Sequence, residues 1–221
     1  TMLAWACASA RRPEVRYFPM LFVGGPSGCG KSTLAKLTMR LVGSAIEAPL
    51  GSVTPYVLMQ RLASSTSLPV LVDEWTRLSR RDSREMLQGL VPVVSEGGLA
   101  ERGQSDLVTV RYRVTAPTMI AGEDTMHLDR ELERVVQVFP RHAWQSPDAL
   151  AAIDTQPLQR FGSLLHRMVA SGASLPALVD GEAATRPEHN HLVLQGGWRT
   201  LHALLDIARA QGEDVPAVPV E

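Results

Sequence analysis

The stretch that decides the fold is YFPMLFVGGPSGCGKSTLAKLTMRLV, residues 17–42. Residues 17–23 form a short apolar run that stops at two glycines, the signature of a buried strand. Residues 31–42 follow with Leu34, Leu37, Leu41 and Val42 at the spacing of a helix laid on a sheet. Between them, residues 25–33 read GPSGCGKST and fit G-x-x-x-x-G-K-[ST] at every fixed position. Glycines at 25, 28 and 30 allow the backbone to wrap closely enough for successive N–H groups to face phosphate oxygens. The helix that follows aims its positive end at the same anion. The whole loop, Gly25, Pro26, Ser27, Gly28, Cys29, Gly30, Lys31, Ser32 and Thr33, is therefore predicted to bind a nucleotide polyphosphate. Lys31 is expected to bridge the β- and γ-phosphates of ATP and Ser32 to hold Mg²⁺.

Working outward, residues 70–72 (VLV) form a buried parallel strand that ends in Asp73 and Glu74. Strand C-termini in such a sheet face the crevice that holds the phosphate loop. Asp73 is expected in the Mg²⁺ shell and Glu74 as the base that polarises the attacking water. A nucleotide kinase uses the acceptor hydroxyl instead and needs no such pair, so a small-molecule phosphotransferase is disfavoured. A short strand is predicted over residues 44–49 and a helix from Thr54 and Pro55. A second helix starts at Asp82, with Glu85 three residues on. Residues 98–114 alternate as a β-hairpin, with Arg102 near its tip and Arg111 and Arg113 on one strand face. Strands follow over residues 118–121 and 135–139, and amphipathic helices centre on Leu158 to Met168 and on Trp198 to Ala208. The fold class is α/β: a three-layer phosphate-loop core with a parallel sheet, an inserted hairpin and a C-terminal helical region. The expected division is a helical lead-in over residues 1–16, the nucleotide core over 17–140, and a lid or packing region over 141–221 with a frayed end.

Composition narrows the setting. The 221 residues carry a net charge of -1, so nucleic acid contact must come from a local basic patch and not from a global field. Two cysteines, Cys7 and Cys29, give neither a disulfide framework nor zinc-ligand spacing, which points to a reducing cytoplasm. The apolar start MLAWA precedes Arg11 and Arg12, the reverse of a secretory signal, and no run reaches membrane-spanning length. With Thr1 before Met2, the chain is expected to be one domain of something longer. Cys29 sits at a variable loop position and is expected to replace serine or alanine there, not to act as a redox switch. Glu188, His189, Asn190 and His191 lack the ββα pattern of a metal-dependent nuclease. Trp5, Trp75, Trp144 and Trp198 are read as packing residues, Trp75 being the one beside the crevice.

GPSGCGKST followed by VLVDE resembles the additional-strand, catalytic-glutamate P-loop ATPases, which include AAA+ proteins, RecA-like motors and superfamily 3 helicases. Within that group, SVTPYVLMQRLASSTSLPVLVDEW is similar to the ATPase domains fused to primases in phages, plasmids and other mobile elements. APTMIAGED and then ELERVVQVF resemble the first sensor strand and the following arginine segment, so the likeness covers residues 17–140. It implies an Mg²⁺-dependent ATPase acting in replication as a helicase, assembled as a homo-oligomeric ring, with a fused or partner primase domain and single-stranded DNA as its track. It implies an arginine delivered to the γ-phosphate, for which Arg134 is the first choice, ahead of Arg130 and Arg102; an ion pair with Glu131 or another acid is the plainer role. The hairpin, with Arg102, Arg111 and Arg113, would touch DNA phosphates, or be an ordinary edge hairpin with solvated arginines. One departure is clear: where the family's sensor strand ends in Asn, Thr or Ser, this chain has Glu123 and Asp124. Glu123 is expected to orient water or an arginine. An alternative is an AAA+-type switch that acts on a protein partner in regulation or defence, without translocation on nucleic acid.

Overall fold

A computed structural model describes residues 1–44, 47–49, 55–73, 81–103, 109–123, 132–141, 148, 155–172 and 174–212. Five strands, β1 (Met20–Gly24), β2 (Glu47–Pro49), β3 (Val70–Asp73), β6 (Thr118–Gly122) and β7 (Val135–Val138), form one sheet in the order β2-β3-β6-β1-β7. Every neighbouring pair in it is parallel, with Phe22 beside Ile120, Val72 beside Ile120 and Leu21 beside Val136. A parallel sheet must be covered on both faces. Accordingly β1, β6 and the VLV of β3 carry no exposed residue, and successive side chains of β1 serve opposite layers. Met20 and Phe22 join a core with α3 (Pro55–Leu62), α4 (Arg81–Glu96) and the hairpin β4 (Leu99–Gly103) and β5 (Thr109–Arg113). Leu21 and Val23 point the other way, into a core with α2 (Lys31–Leu41) and α1 (Met2–Ser9). The α/β three-layer class and the inserted hairpin expected from the sequence are both present.

Helix α1 is apolar almost throughout because all of it but Leu3 is buried. Trp5, Ala6, Cys7 and Ala8 are fully buried between the sheet and α6 (Arg186–Ala210), and the indole Nε1 of Trp5 donates to the carbonyl of Pro19 at 2.8 Å. Helix α1 thus builds part of the main core. The two arginines that follow are equally committed. Arg11 donates to Thr200 Oγ1 at 2.7 Å and Pro176 O at 2.8 Å while pairing with Glu14. Arg12 donates to Val15 O at 2.6 Å and Ser95 O at 3.2 Å, and burial pulls its guanidinium pKa down. Cys7 is buried too, and desolvation pushes its thiol up to about 12.

Two glycines of α6 make close backbone approaches, Gly197 to α1 and Gly196 to the segment at Leu178. A Cβ on Gly197 would lie 2.0 Å from Ala4 O, and one on Gly196 would lie 1.7 Å from Leu178 O. Neither obstacle is a flexible side chain, so the backbones themselves would have to part. Helix α5 (Thr155–Ala170) closes a third cluster in which Leu165 and Met168 meet Leu41, Val42, Ala6 and Leu204, and His166 Nε2 lies 2.9 Å from Val42 O. These contacts lie at the end of α2 farthest from its N-terminus and the phosphate loop.

Replacing Gly197 by Ala should therefore destabilise the chain by about 1–3 kcal/mol, the usual cost of overpacking a tight contact. Urea unfolding of the variant should show a lowered midpoint with an unchanged m-value.

Candidate nucleotide site

The phosphate loop leaves β1 at Gly24 and enters α2 at Lys31, as the sequence predicts. Gly25, Gly28 and Gly30 adopt φ of 146°, 76° and 87°, conformations that side chains rarely adopt. Gly25 carries a second constraint, since a Cβ there would lie 2.8 Å from Cys29 Sγ. Cys29 is only 2% exposed, so its thiol is packing material inside the loop and not a solvent-facing switch.

β6 runs between β1 and β3, and the cavity lies at the C-terminal ends of these three strands. About 310 Å³ in volume, it is lined by Ser27, Gly28, Gly30, Lys31, Ser32, Thr33, Asp73, Ala121, Gly122 and Glu123. Ser32 Oγ donates to Asp73 Oδ1 at 3.0 Å, bringing together two residues 41 apart in sequence. Lys31 Nζ donates to Pro26 O at 2.9 Å, which folds the ammonium back over the loop. The hydroxyl of Ser32 and the carboxylate of Asp73 are hard oxygen donors, the set that suits Mg²⁺ completed by phosphate oxygens and water. They fit such an ion; among the described residues no cluster of three or more His, Cys, Asp or Glu side chains forms a separate metal site. Glu74, Trp75, Asp124, Arg130 and Glu131 lie outside the described residues.

Arg134 stands elsewhere. Its carbonyl accepts from Met20 N at the start of β1, whereas the loop follows the end of that strand. Five residues of strand, roughly 15 Å, separate the two levels. The side chain lies 3.8 Å from Glu96, which also accepts from Arg186 at 2.8 Å. Arg186 in turn lies 3.7 Å over the ring of Tyr17. An ion pair with an acid is thus present, and the acid is Glu96, supplied by α4.

The hairpin pairs Glu101 with Arg111, Leu99 with Arg113 and Arg102 with Val110. Arg111 and Arg113 share the exposed face, and Arg102 occupies the alternate register set. Arg111 Nε donates to Glu101 Oε1 at 2.8 Å, and both side chains are more than half exposed, so the pair adds little to stability. Tyr112 turns inward and meets Tyr56 of α3 edge to face.

The acid-and-histidine run near residue 190 is occupied by structural work. Glu188 closes a capping box with Thr185, His189 Nε2 lies 3.0 Å from Tyr17 O, and Asn190 donates to Glu133 O at 2.8 Å. Sequence reading missed the inward roles of Arg11 and Arg12 and the contact at Gly197; a charged pair straight after a wholly apolar helix was the available signal.

No protein-family description matches the chain, and no curated protein matches it. Similar solved structures include a JCV helicase, 15% identical over 96% of this chain and 65% of that one, with a TM-score of 0.43. Another is JCV helicase bound to a thiazolopyridine-substituted phenoxyphenyl acetamide, 12% identical over 95% and 61% of the two chains, with a TM-score of 0.41. The chain spans 65% and 61% of the length of those helicase chains, less than two thirds. Strand order and loop geometry, not this likeness, carry the fold assignment. No described helix is long and apolar enough to cross a membrane.

Both cysteines being buried, a thiol reagent such as Ellman's should label neither in the folded protein at neutral pH and both in urea. Cys7 also sets a sign for pH. Above about 9 the unfolded chain can release this proton, whereas the folded chain retains it up to about 12, so stability falls as pH rises through that window. Urea midpoints of a Cys7→Ala variant should fall less steeply there than those of the native chain.

Proposed function

We propose that this chain is an Mg²⁺-dependent ATP hydrolase of the additional-strand, catalytic-glutamate type, and that hydrolysis drives DNA translocation or unwinding in phage or mobile-element replication. The observation that carries the reading is the 3.0 Å contact of Ser32 and Asp73 in one cavity with Lys31. The placement of β6 between the loop strand and the Asp73 strand supports the same type.

In this reading the loop amides and Lys31 hold the β- and γ-phosphates, with Lys31 exchanging the Pro26 carbonyl for phosphate oxygens. Ser32 and Asp73 hold Mg²⁺, which when bound neutralises charge developing on the phosphate oxygens. Glu74, one residue beyond Asp73, takes the proton of the attacking water. Arg134 stands at the other end of the sheet from its own loop, so in this reading it would act on the nucleotide of another copy within a homo-oligomeric ring. The exposed face with Arg111 and Arg113, together with Arg102, contacts single-stranded DNA, and a primase domain is fused or associated. A second reading has one observation in its favour: the Glu101–Arg111 pair cancels charge on the hairpin face, which suits a protein partner better than a phosphate backbone.

Hydrolysis of ATP should require Mg²⁺, be stimulated by single-stranded DNA, and vanish in Lys31→Ala. Glu74→Gln should lower turnover by about 100-fold or more while leaving nucleotide binding in place; undiminished turnover would remove Glu74 as the base. Native hydrolysis indifferent to DNA would transfer the assignment to the partner-driven switch.

A further inference from the structure

Gly122, the last residue of β6, pairs with Gly24 of β1, so the next residue, Glu123, leaves the sheet beside Gly25, the first glycine of the phosphate loop. Glu123 is exposed and lines the same cavity as Lys31, Ser32, Thr33 and Asp73. The charged side chains among the described lining residues are therefore two carboxylates and one ammonium. A bare polyphosphate entering this space meets favourable loop amides and the positive end of α2, but also two like charges. Asp73 escapes that repulsion when it shares a cation with the phosphates. Ser32 is bonded to Asp73 and not to Glu123, so Glu123 opposes the anion unless the anion arrives with a cation of its own. A divalent cation on the phosphates reverses the sign, and Glu123 then attracts the complex directly or through the cation's water shell.

We propose that Glu123 makes this cavity selective for the metal-complexed nucleotide, rejecting free nucleotide and bare phosphate anions that the loop would otherwise accept. This deepens the nucleotide reading above and rests on it. Glu123 acts as a charge filter at the mouth of the site, while Asp73 holds the metal.

Calorimetric titration with ATP, in Mg²⁺ and separately in EDTA, tests the assignment on the native chain, Glu123→Gln, Glu123→Asp and Lys31→Ala. Glu123→Gln keeps the side-chain shape, and the position is exposed, so the fold should persist with an unchanged thermal midpoint. The native chain should bind at least about tenfold more weakly in EDTA than in Mg²⁺. Glu123→Gln should tighten binding in EDTA by about tenfold and alter binding in Mg²⁺ by less than about threefold, so that the discrimination collapses. Inorganic tripolyphosphate in EDTA should gain in parallel, and Glu123→Asp should restore native discrimination. Unchanged EDTA affinity in Glu123→Gln, or an equal change in both media, would overturn the filter while leaving the nucleotide site intact. Absence of ATP binding by the native chain in both media, or native affinity in Lys31→Ala, would overturn the nucleotide reading and the filter with it.

Discussion

The contact between Ser32 and Asp73 depends on β6 lying between the strands that deliver them. β1 ends in the loop, β3 ends in Asp73, and they are not neighbours. With β6 interposed, strands spaced at about 4.8 Å leave a cleft about two strand widths across at their C-terminal ends. That width admits a phosphate group between a loop on one side and a carboxylate on the other. A direct β1–β3 pairing would halve it. β6 also contributes its own terminus to the cleft floor through Ala121 and Gly122, whose small size keeps the space open. The cleft and the strand order are therefore one fact.

The layers on either side hold that strand order in place by different means. On the α3 and α4 face the cover is an ordinary aliphatic core, with Leu58, Leu62, Val91 and Val94 fully or nearly buried. On the α2 face the cover includes α1, whose small residues let α6 approach to backbone contact at Gly197. Arg11 ties α1 to α6 through Thr200, and Arg12 ties it to the end of α4 through Ser95 O. Two buried cations are tolerated there because backbone carbonyls, Thr200 and Glu14 accept their hydrogens.

Local chemistry made the glycine loop and the strand ending in Asp73 readable from sequence alone. Glycine spacing, a lysine and a hydroxyl have few other reasons to follow an apolar strand, and continuous runs such as VLV at residues 70–72 mark strands buried on both faces. The sheet strands and the long helices were legible for the same reason. What escaped was settled by distant partners. MLAWACAS shows no polar face from which to infer a side, and it reads as a short lead-in until α6 is seen lying on it. Arg134 was expected to pair with Glu131 or another acid, and it meets one in Glu96, which α4 brings from far along the chain. Glu123 was visible as a departure from the family's pattern; its place on the cavity wall required the Gly24–Gly122 register.

The seal of α6 over α1 also has a consequence in time. Trp5 is made about 180 residues before the helix that shields it, which spans Arg186–Ala210. During synthesis the phosphate-loop strand and its neighbours can pair while α1 still exposes its indole and alanine surface to water, because loop closure across most of the chain must precede burial. Such a partly finished sheet, with one greasy face open, is the species most prone to associate with other chains. The ribosome-bound intermediate, more than the finished protein, is where this architecture is vulnerable.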